Sequence, residues 1–119
     1  MGNKSNSSSS LMKDTDISTL GGVSACANSG DGNYSNYPEI PSKSVEVLKS
    51  HGYMNLFPIQ QHCFYPVYNR EDLIARDLTG SGKTVAFGLP TIEYLRKNKM
   101  FGTGKVQAIM LAPTRELAI

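Results

Sequence analysis

One stretch decides the fold of this chain: Asp77-Leu78-Thr79-Gly80-Ser81-Gly82-Lys83-Thr84-Val85. It follows a short apolar run at 73–75 and precedes residues with helical spacing, which predicts a strand that turns through glycines into a helix. Glycines allow backbone N–H groups to point inward at an oxyanion, and the helix N-terminus adds roughly half a positive charge. The stretch therefore predicts a phosphate cradle.

The polar groups of this cradle have distinct expected roles. The Lys83 ammonium should reach the terminal phosphates, and the Thr84 hydroxyl should hold a Mg²⁺ ion that arrives with the nucleotide. The other expected phosphate-binding residues are Thr79, Gly80, Ser81, Gly82 and Val85. We therefore expect the chain to bind a nucleoside triphosphate, with Lys83 and Thr84 as its catalytic residues.

The bulk properties exclude several classes of protein. With 119 residues, 39% of them hydrophobic, and a net charge of +2, the chain is typical of a single globular domain or a part of one. No apolar stretch approaches the ~20 residues that span a bilayer, so a membrane is not an expected partner. Cys26 and Cys63 have no metal-ligand spacing, which indicates the reduced thiols of an intracellular protein.

Two regions differ in composition. Residues 1–33 are rich in Ser, Asn and Gly, and offer too little apolar surface to offset the entropy of ordering. We expect a disordered tail there, which either serves regulation or targeting or is a solvated extension without a specific role. Residues 34–119 should form the folded part, and their excess of Lys and Arg permits nucleic-acid binding without arguing for it.

Helices and strands are expected to alternate in the folded part. The pattern predicts helices at 43–51, 58–68 and 83–98, strands at 72–76 and 106–112, and a further helix from Pro113-Thr114. A strand–helix–strand order with a period of about 30 residues predicts a right-handed βαβ unit. The expected fold class is therefore α/β, with a doubly wound parallel sheet.

Side chains within the helices give further expectations. Val45, Val47 and Leu48 should all face a core from the first helix. Pro66 should bend or end the second helix, and Pro90 should kink the third, because proline removes one helical hydrogen bond.

Three clusters then follow one another along the chain: Phe57-Pro58-Ile59-Gln60, Thr79-Gly80-Ser81-Gly82-Lys83-Thr84 and Ala112-Pro113-Thr114-Arg115-Glu116-Leu117-Ala118. Their residues and order resemble the Q motif, motif I and motif Ia of DEAD-box RNA helicases. The seven consecutive residues of the third cluster are far more selective than a phosphate loop alone. The resemblance covers about residues 34–119 and implies the N-terminal part of a RecA-like P-loop NTPase domain, with ATP-dependent unwinding of RNA duplexes as its activity.

Two segments look most like the Gu-type nucleolar members of that family. They are Tyr34-Ser35-Asn36-Tyr37-Pro38 and Leu56-Phe57-Pro58-Ile59-Gln60. This likeness alone favours the nucleus or nucleolus over the cytoplasm.

The resemblance assigns the adenine to Gln60 and to aromatic side chains. A glutamine carboxamide has an acceptor and two donors, so it can pair with both N6 and N7 of adenine, whereas guanine offers acceptors at both places. Tyr53 occupies the family's stacking position, and Tyr37, in preference to Tyr34, is the expected upstream aromatic. The alternative is that these tyrosines only cover the edge of a small core.

Motif Ia resembles the element with which the family grips the RNA backbone. Pro113, Thr114 and Arg115 are the expected RNA-binding residues, because a hydroxyl, a guanidinium and backbone N–H groups can all address phosphates. Such contacts read no sequence. The alternative is that Arg115 pairs with a surface carboxylate.

One residue departs from the family pattern. Asp77 stands where DEAD-box helicases have Ala, and an acidic side chain near a polyphosphate is unfavourable unless it points elsewhere. We expect Asp77 to face away from the phosphates, and its effect on ATP affinity is open at this point.

The Asp-Glu-Ala-Asp box and the second RecA-like domain of the family do not occur in this sequence. We therefore expect a partial sequence of a longer helicase, which alone hydrolyses ATP negligibly and folds poorly, and which works with that second domain as a partner. The alternative is a natural short product that binds nucleotide or RNA without catalysis. An unrelated phosphate-loop kinase or GTPase is a third reading, against which Gln60 argues.

Overall fold

A computed structural model describes residues 16–19, for which only the backbone is considered, and residues 31–118. Most of the predicted tail at 1–33 lies outside these residues. The elements are β1 (Asp16–Thr19), a 3₁₀ turn (Tyr34–Asn36), α1 (Ser42–Ser50), α2 (Pro58–Tyr68), β2 (Leu73–Arg76), α3 (Lys83–Lys97) and α4 (Arg115–Ala118). The predicted helices at 58–68 and 83–98 are thus confirmed to within one residue.

The core forms where α2 packs against its neighbours. An aromatic cluster joins α2 to the segment before α1, and its buried members are Tyr34, Tyr37, Ile40, Leu56, Phe64 and Tyr68. A second cluster, Ile59, Cys63 and Ala86, joins α2 to α3, with Leu73 of β2 packed against it. Because α2 contributes to both clusters, it holds the strand and the helix that flank the phosphate loop.

Helix α1 lies on this core with one side only. Val45 and Leu48 pack against the aromatic cluster, but the Val47 side chain is 53% exposed. The prediction that Val47 faces the core was wrong, because positions 45 and 48 share a helix face that position 47 does not. The helix ends at Ser50, and Gly52, two residues further on, has a left-handed φ of 89° that lets the Tyr53 N–H bond the Leu48 carbonyl at 3.0 Å.

The internal prolines do not end their helices. Pro66 is buried inside α2, which continues to Tyr68, and Pro90 is buried inside α3, which continues to Lys97. Packing of these helices on the core therefore outweighs the hydrogen bond that each proline removes. None of the helices within the described ranges is long and apolar enough to cross a bilayer.

The sheet differs from the predicted one. The strands β1 and β2 pair antiparallel, with Asp16 opposite Arg76 and Thr19 opposite Leu73. Four residues of the predicted tail are therefore paired. The segment 106–112 forms no strand, so the described residues do not contain the parallel sheet and βαβ unit predicted from it. A strand forms only where a neighbouring strand offers its backbone N–H and C=O groups. In the described part of the chain β1 and β2 offer these groups to each other.

Candidate nucleotide-binding site

Residues 77–82 form the loop that joins β2 to α3. Gly80 and Gly82 have φ values of 84° and 85°, a region that side chains other than glycine enter at a cost of about 1–2 kcal/mol. Gly82 is the N-cap of α3, and its carbonyl accepts from the N–H groups of Val85 and Ala86 at 3.1 and 3.2 Å. The glycines therefore turn the chain sharply from strand into helix, as the sequence predicted.

The Gln60 side chain joins α2 to this loop. It is only 2% exposed. Its Oε1 accepts from the Phe57 N–H at 2.9 Å, and its Nε2 donates to the Gly82 carbonyl at 3.2 Å. Each end of the carboxamide keeps one further hydrogen-bonding position, because Oε1 has a second lone pair and Nε2 a second hydrogen. Gln60, the expected adenine-binding residue, thus contacts Gly82, the N-cap of α3.

The Lys83 ammonium is held by the loop itself. Its Nζ donates to the carbonyls of Asp77 and Leu78, at 3.0 and 2.5 Å. The Thr84 side chain is exposed. The Ser81 hydroxyl is buried and has no hydrogen-bond partner among the described residues. The loop therefore contains one unsatisfied polar group and one cation that is satisfied only by main-chain carbonyls.

Asp77 lies at the start of the loop, beside β2. Its Oδ1 accepts from the N–H of Leu78 at 2.8 Å. Burial and, secondarily, the Asp77 carboxylate raise the pKa of the Cys63 thiol to about 11. The Asp77 carboxylate is therefore engaged by the backbone of its own loop.

The tyrosines expected at the base occupy different places. The Tyr53 ring lies 5.9 Å from that of Phe57, and the Tyr34 hydroxyl donates to the Tyr53 carbonyl at 2.7 Å. Tyr34 and Tyr37 are both buried in the aromatic cluster, where the Tyr37 ring lies 5.0 Å from Phe64 and 5.8 Å from Tyr65. Tyr34, rather than Tyr37, is thus the upstream aromatic that touches Tyr53.

Phe57 is a site residue that sequence reasoning did not single out. Its N–H orients the Gln60 carboxamide, and its ring faces Gly82, where an added Cβ would lie 3.2 Å from Phe57 Cδ2. The only signal in the sequence was its place within the Q-motif cluster.

The motif Ia residues lie apart from these contacts. Pro113, Thr114 and Arg115 are exposed, immediately before and at the start of α4. In the described part of the chain Arg115 makes no ion pair, and the three side chains make no hydrogen bond to the phosphate loop. Residues 31–118 also contain no cluster of three acidic, histidine or cysteine side chains that could hold a metal ion.

A strand, a left-handed glycine turn and a helix that opens with Lys83-Thr84 define a phosphate-loop protein. The chain belongs to the DEAD/DEAH box helicase family, whose model matches residues 57–119. This confirms the resemblance found in the sequence and implies a RecA-like fold. The described residues show a small helix-rich part of such a fold.

Curated relatives agree with this assignment. The chain is 44% identical over 90 residues to ATP-dependent RNA helicase DDX50 of Homo sapiens, which covers 74% of this chain and 12% of that protein. It is 45% identical over 91 residues to nucleolar RNA helicase 2 of Rattus norvegicus, covering 74% and 11%. The match to DEAD-box ATP-dependent RNA helicase 9, mitochondrial, of Arabidopsis thaliana is 48% over 83 residues, covering 68% and 13%. No solved structure matched significantly.

Proposed function

We propose that this chain carries the nucleotide-binding part of an ATP-dependent RNA helicase, an enzyme that couples ATP binding and hydrolysis to the unwinding of RNA duplexes. The relatives named above support this, although the chain spans only about an eighth of their length. The single observation that carries the proposal is the hydrogen bond between Gln60 Nε2 and the Gly82 carbonyl. It joins a base-reading side chain to a phosphate loop that lies 22 residues further along the chain.

The described residues fit a nucleoside triphosphate with Mg²⁺. The N–H groups of Lys83 and Thr84 donate no turn or cap hydrogen bond within the described ranges, and the Ser81 hydroxyl has no partner there. Amides at a glycine turn and at a helix start are the groups that bind phosphate oxygens. When bound, Mg²⁺ would neutralise charge on the phosphates, and the exposed Thr84 hydroxyl is the residue that would hold it.

Gln60 would select adenine with its two free hydrogen-bonding positions. The second lone pair of Oε1 can accept from N6, and the second hydrogen of Nε2 can donate to N7. Tyr53 would stack on the base, with Tyr34 holding its backbone in place. Because Gln60 keeps its bond to Gly82 in this arrangement, base recognition and phosphate binding share one side chain.

RNA contact is assigned to the exposed residues Pro113, Thr114 and Arg115. A hydroxyl and a guanidinium bind phosphate oxygens without reading base sequence, which suits an enzyme that acts on many duplexes. We further propose a second RecA-like domain as the partner that completes the catalytic site, and the nucleus or nucleolus as the compartment. One relative is named as nucleolar and another as mitochondrial.

A comparison of ATP with GTP tests the proposal. Binding of each nucleotide with Mg²⁺ is measured by calorimetry for the chain, for Gln60→Ala and for Lys83→Ala. We expect the chain to prefer ATP by about tenfold or more, since a mismatched base leaves the buried carboxamide unpaired. Gln60→Ala should bring the ratio of the two affinities close to one, and Lys83→Ala should weaken both.

Gln61→Ala provides the matched control. Gln61 is the next residue of α2, but its Nε2 donates to the Leu56 carbonyl at 2.7 Å, away from the phosphate loop. This variant should keep the preference for ATP. Equal affinity of the unmodified chain for ATP and GTP, or a preference that survives Gln60→Ala, would show that Gln60 does not read the base.

A further inference from the structure

Asp77 and Leu78 hold the phosphate loop through two separate interactions. The Asp77 carboxylate accepts from the N–H of Leu78, so this amide is taken by a side chain of the loop itself. The carbonyls of the same two residues accept from the Lys83 ammonium. The ammonium is the group of these that is expected to reach the terminal phosphates.

The carboxylate acts through the backbone and not by direct pairing with the cation. Among the described residues the ion pair is the one between Glu93 and Arg96, and none joins Asp77 to Lys83. By accepting from the Leu78 N–H, the Asp77 carboxylate orients the peptide group that joins Asp77 to Leu78. The carbonyls of these two residues are the acceptors for the Lys83 ammonium. Loss of the carboxylate would free the Leu78 N–H and weaken the two hydrogen bonds that the Lys83 ammonium donates to these carbonyls.

We propose that Asp77 is a positioning residue that keeps the Lys83 ammonium on the carbonyls of Asp77 and Leu78, and so weakens the affinity for polyphosphate. A triphosphate tail must draw the ammonium away from these carbonyls before it can bind it. The inference rests on the proposed function, because it concerns the same nucleotide site.

Affinities of Asp77 variants for ligands with and without phosphates test this inference. Dissociation constants are measured for inorganic triphosphate with Mg²⁺, ATP with Mg²⁺, and adenosine. Asp77→Ala should bind triphosphate and ATP about fivefold more tightly, the size of effect expected for one hydrogen bond. Adenosine should bind both proteins equally, since it does not reach the loop. A variant that merely destabilises the fold would weaken all three.

Asp77→Asn distinguishes the hydrogen bond from the charge. Asparagine keeps an acceptor for the Leu78 amide and lacks the charge, so its affinity for triphosphate should stay within about twofold of the unmodified chain. If Asp77→Asn and Asp77→Ala tighten binding equally, charge repulsion and not positioning is responsible, and the inference is wrong. Unchanged affinity in Asp77→Ala also overturns it. Failure of the unmodified chain to bind ATP or triphosphate would instead contradict the proposed function.

Discussion

Three structural features coincide at Gly82. Its φ of 85° is left-handed, its carbonyl accepts from the Gln60 side chain, and a Cβ added to it would collide with the Gln60 amide. Gly80 has nearly the same φ, 84°, but a Cβ there would meet nothing within 4 Å. The two glycines therefore differ in what surrounds them and not in backbone conformation.

Alanine at each glycine separates these effects. Both substitutions should cost about 1–2 kcal/mol of unfolding free energy for the left-handed conformation. Gly82→Ala should cost about 1 kcal/mol more, because it also displaces the Gln60 carboxamide, and it should weaken ATP binding more than Gly80→Ala. Urea denaturation measures the free energy of unfolding, and calorimetry measures the affinity for ATP. Equal losses in the two variants would mean that the contact with Gln60 contributes nothing.

Helices α1 and α3 are joined by a polar cluster around the buried carboxylate of Glu93. The Ser44 hydroxyl donates to Glu93 Oε1 at 2.7 Å, and Arg96 donates to Glu93 Oε2 at 2.9 Å and to the Ser44 hydroxyl at 2.6 Å. The Glu93 side chain is 2% exposed, whereas that of Arg96 is 50% exposed. The carboxylate thus lies inside with both partners in place, and water can still reach the guanidinium. The cluster holds α3, and with it the phosphate loop, against the helix that precedes the Q motif.

Removal of this carboxylate should separate the two helices. We expect Glu93→Ala to lower the free energy of unfolding by about 2 kcal/mol, because it deletes the hydrogen bond from Ser44 and the two from Arg96, to Oε1 and Oε2, but leaves Arg96 access to water. Glu46→Ala is the control, since Glu46 is exposed on α1, and it should change stability by no more than about 0.5 kcal/mol. Urea denaturation measures the free energy of unfolding of both variants. A loss in Glu93→Ala as small as that in Glu46→Ala would show that the cluster is not stabilising.

At the scale of the whole molecule, the main irregularity is an exposed apolar segment. Residues 106–112 contain neither charge nor proline, and Val106, Ile109 and Leu111 are 78%, 77% and 93% exposed. Within the described ranges the backbone of this segment makes no turn, loop or cap hydrogen bonds. Uncharged, strand-forming segments with free backbone groups tend to pair with other chains.

We therefore expect the isolated chain to self-associate as its concentration rises. A charge within the segment should suppress this, so Ile109→Lys should keep the chain monomeric at concentrations where the unmodified chain forms larger species. Val47→Lys is the matched control, because it places the same charge at an exposed apolar residue of α1. Sedimentation velocity measures the species present. Equal suppression by both variants would assign the effect to net charge and not to the segment.

Local signals in the sequence were sufficient for the helices and the loop. Pro58 suits the first turn of a helix, and α2 begins there. The glycines before Lys83 allow the left-handed turn that the loop requires. The order of the three clusters indicated the family that the comparisons confirmed. The helix start and the turn depend on residues a few positions apart, and the cluster order is read directly along the chain, so no knowledge of tertiary contacts was needed.

Contacts between distant residues were decided only by the tertiary structure. Tyr34 and Tyr37 are both buried in the same core cluster, but the fold directs the Tyr34 hydroxyl to the Tyr53 carbonyl and packs the Tyr37 ring on Phe64. The residues at 106–112 favour a strand, but a strand forms only beside a partner, and β2 pairs with β1 instead. The sequence by itself thus determined the helices and the glycine turn of the candidate site, because turns and helix starts are local. Which side chains meet around that turn was determined by the fold, because packing and strand pairing depend on residues far apart in the chain.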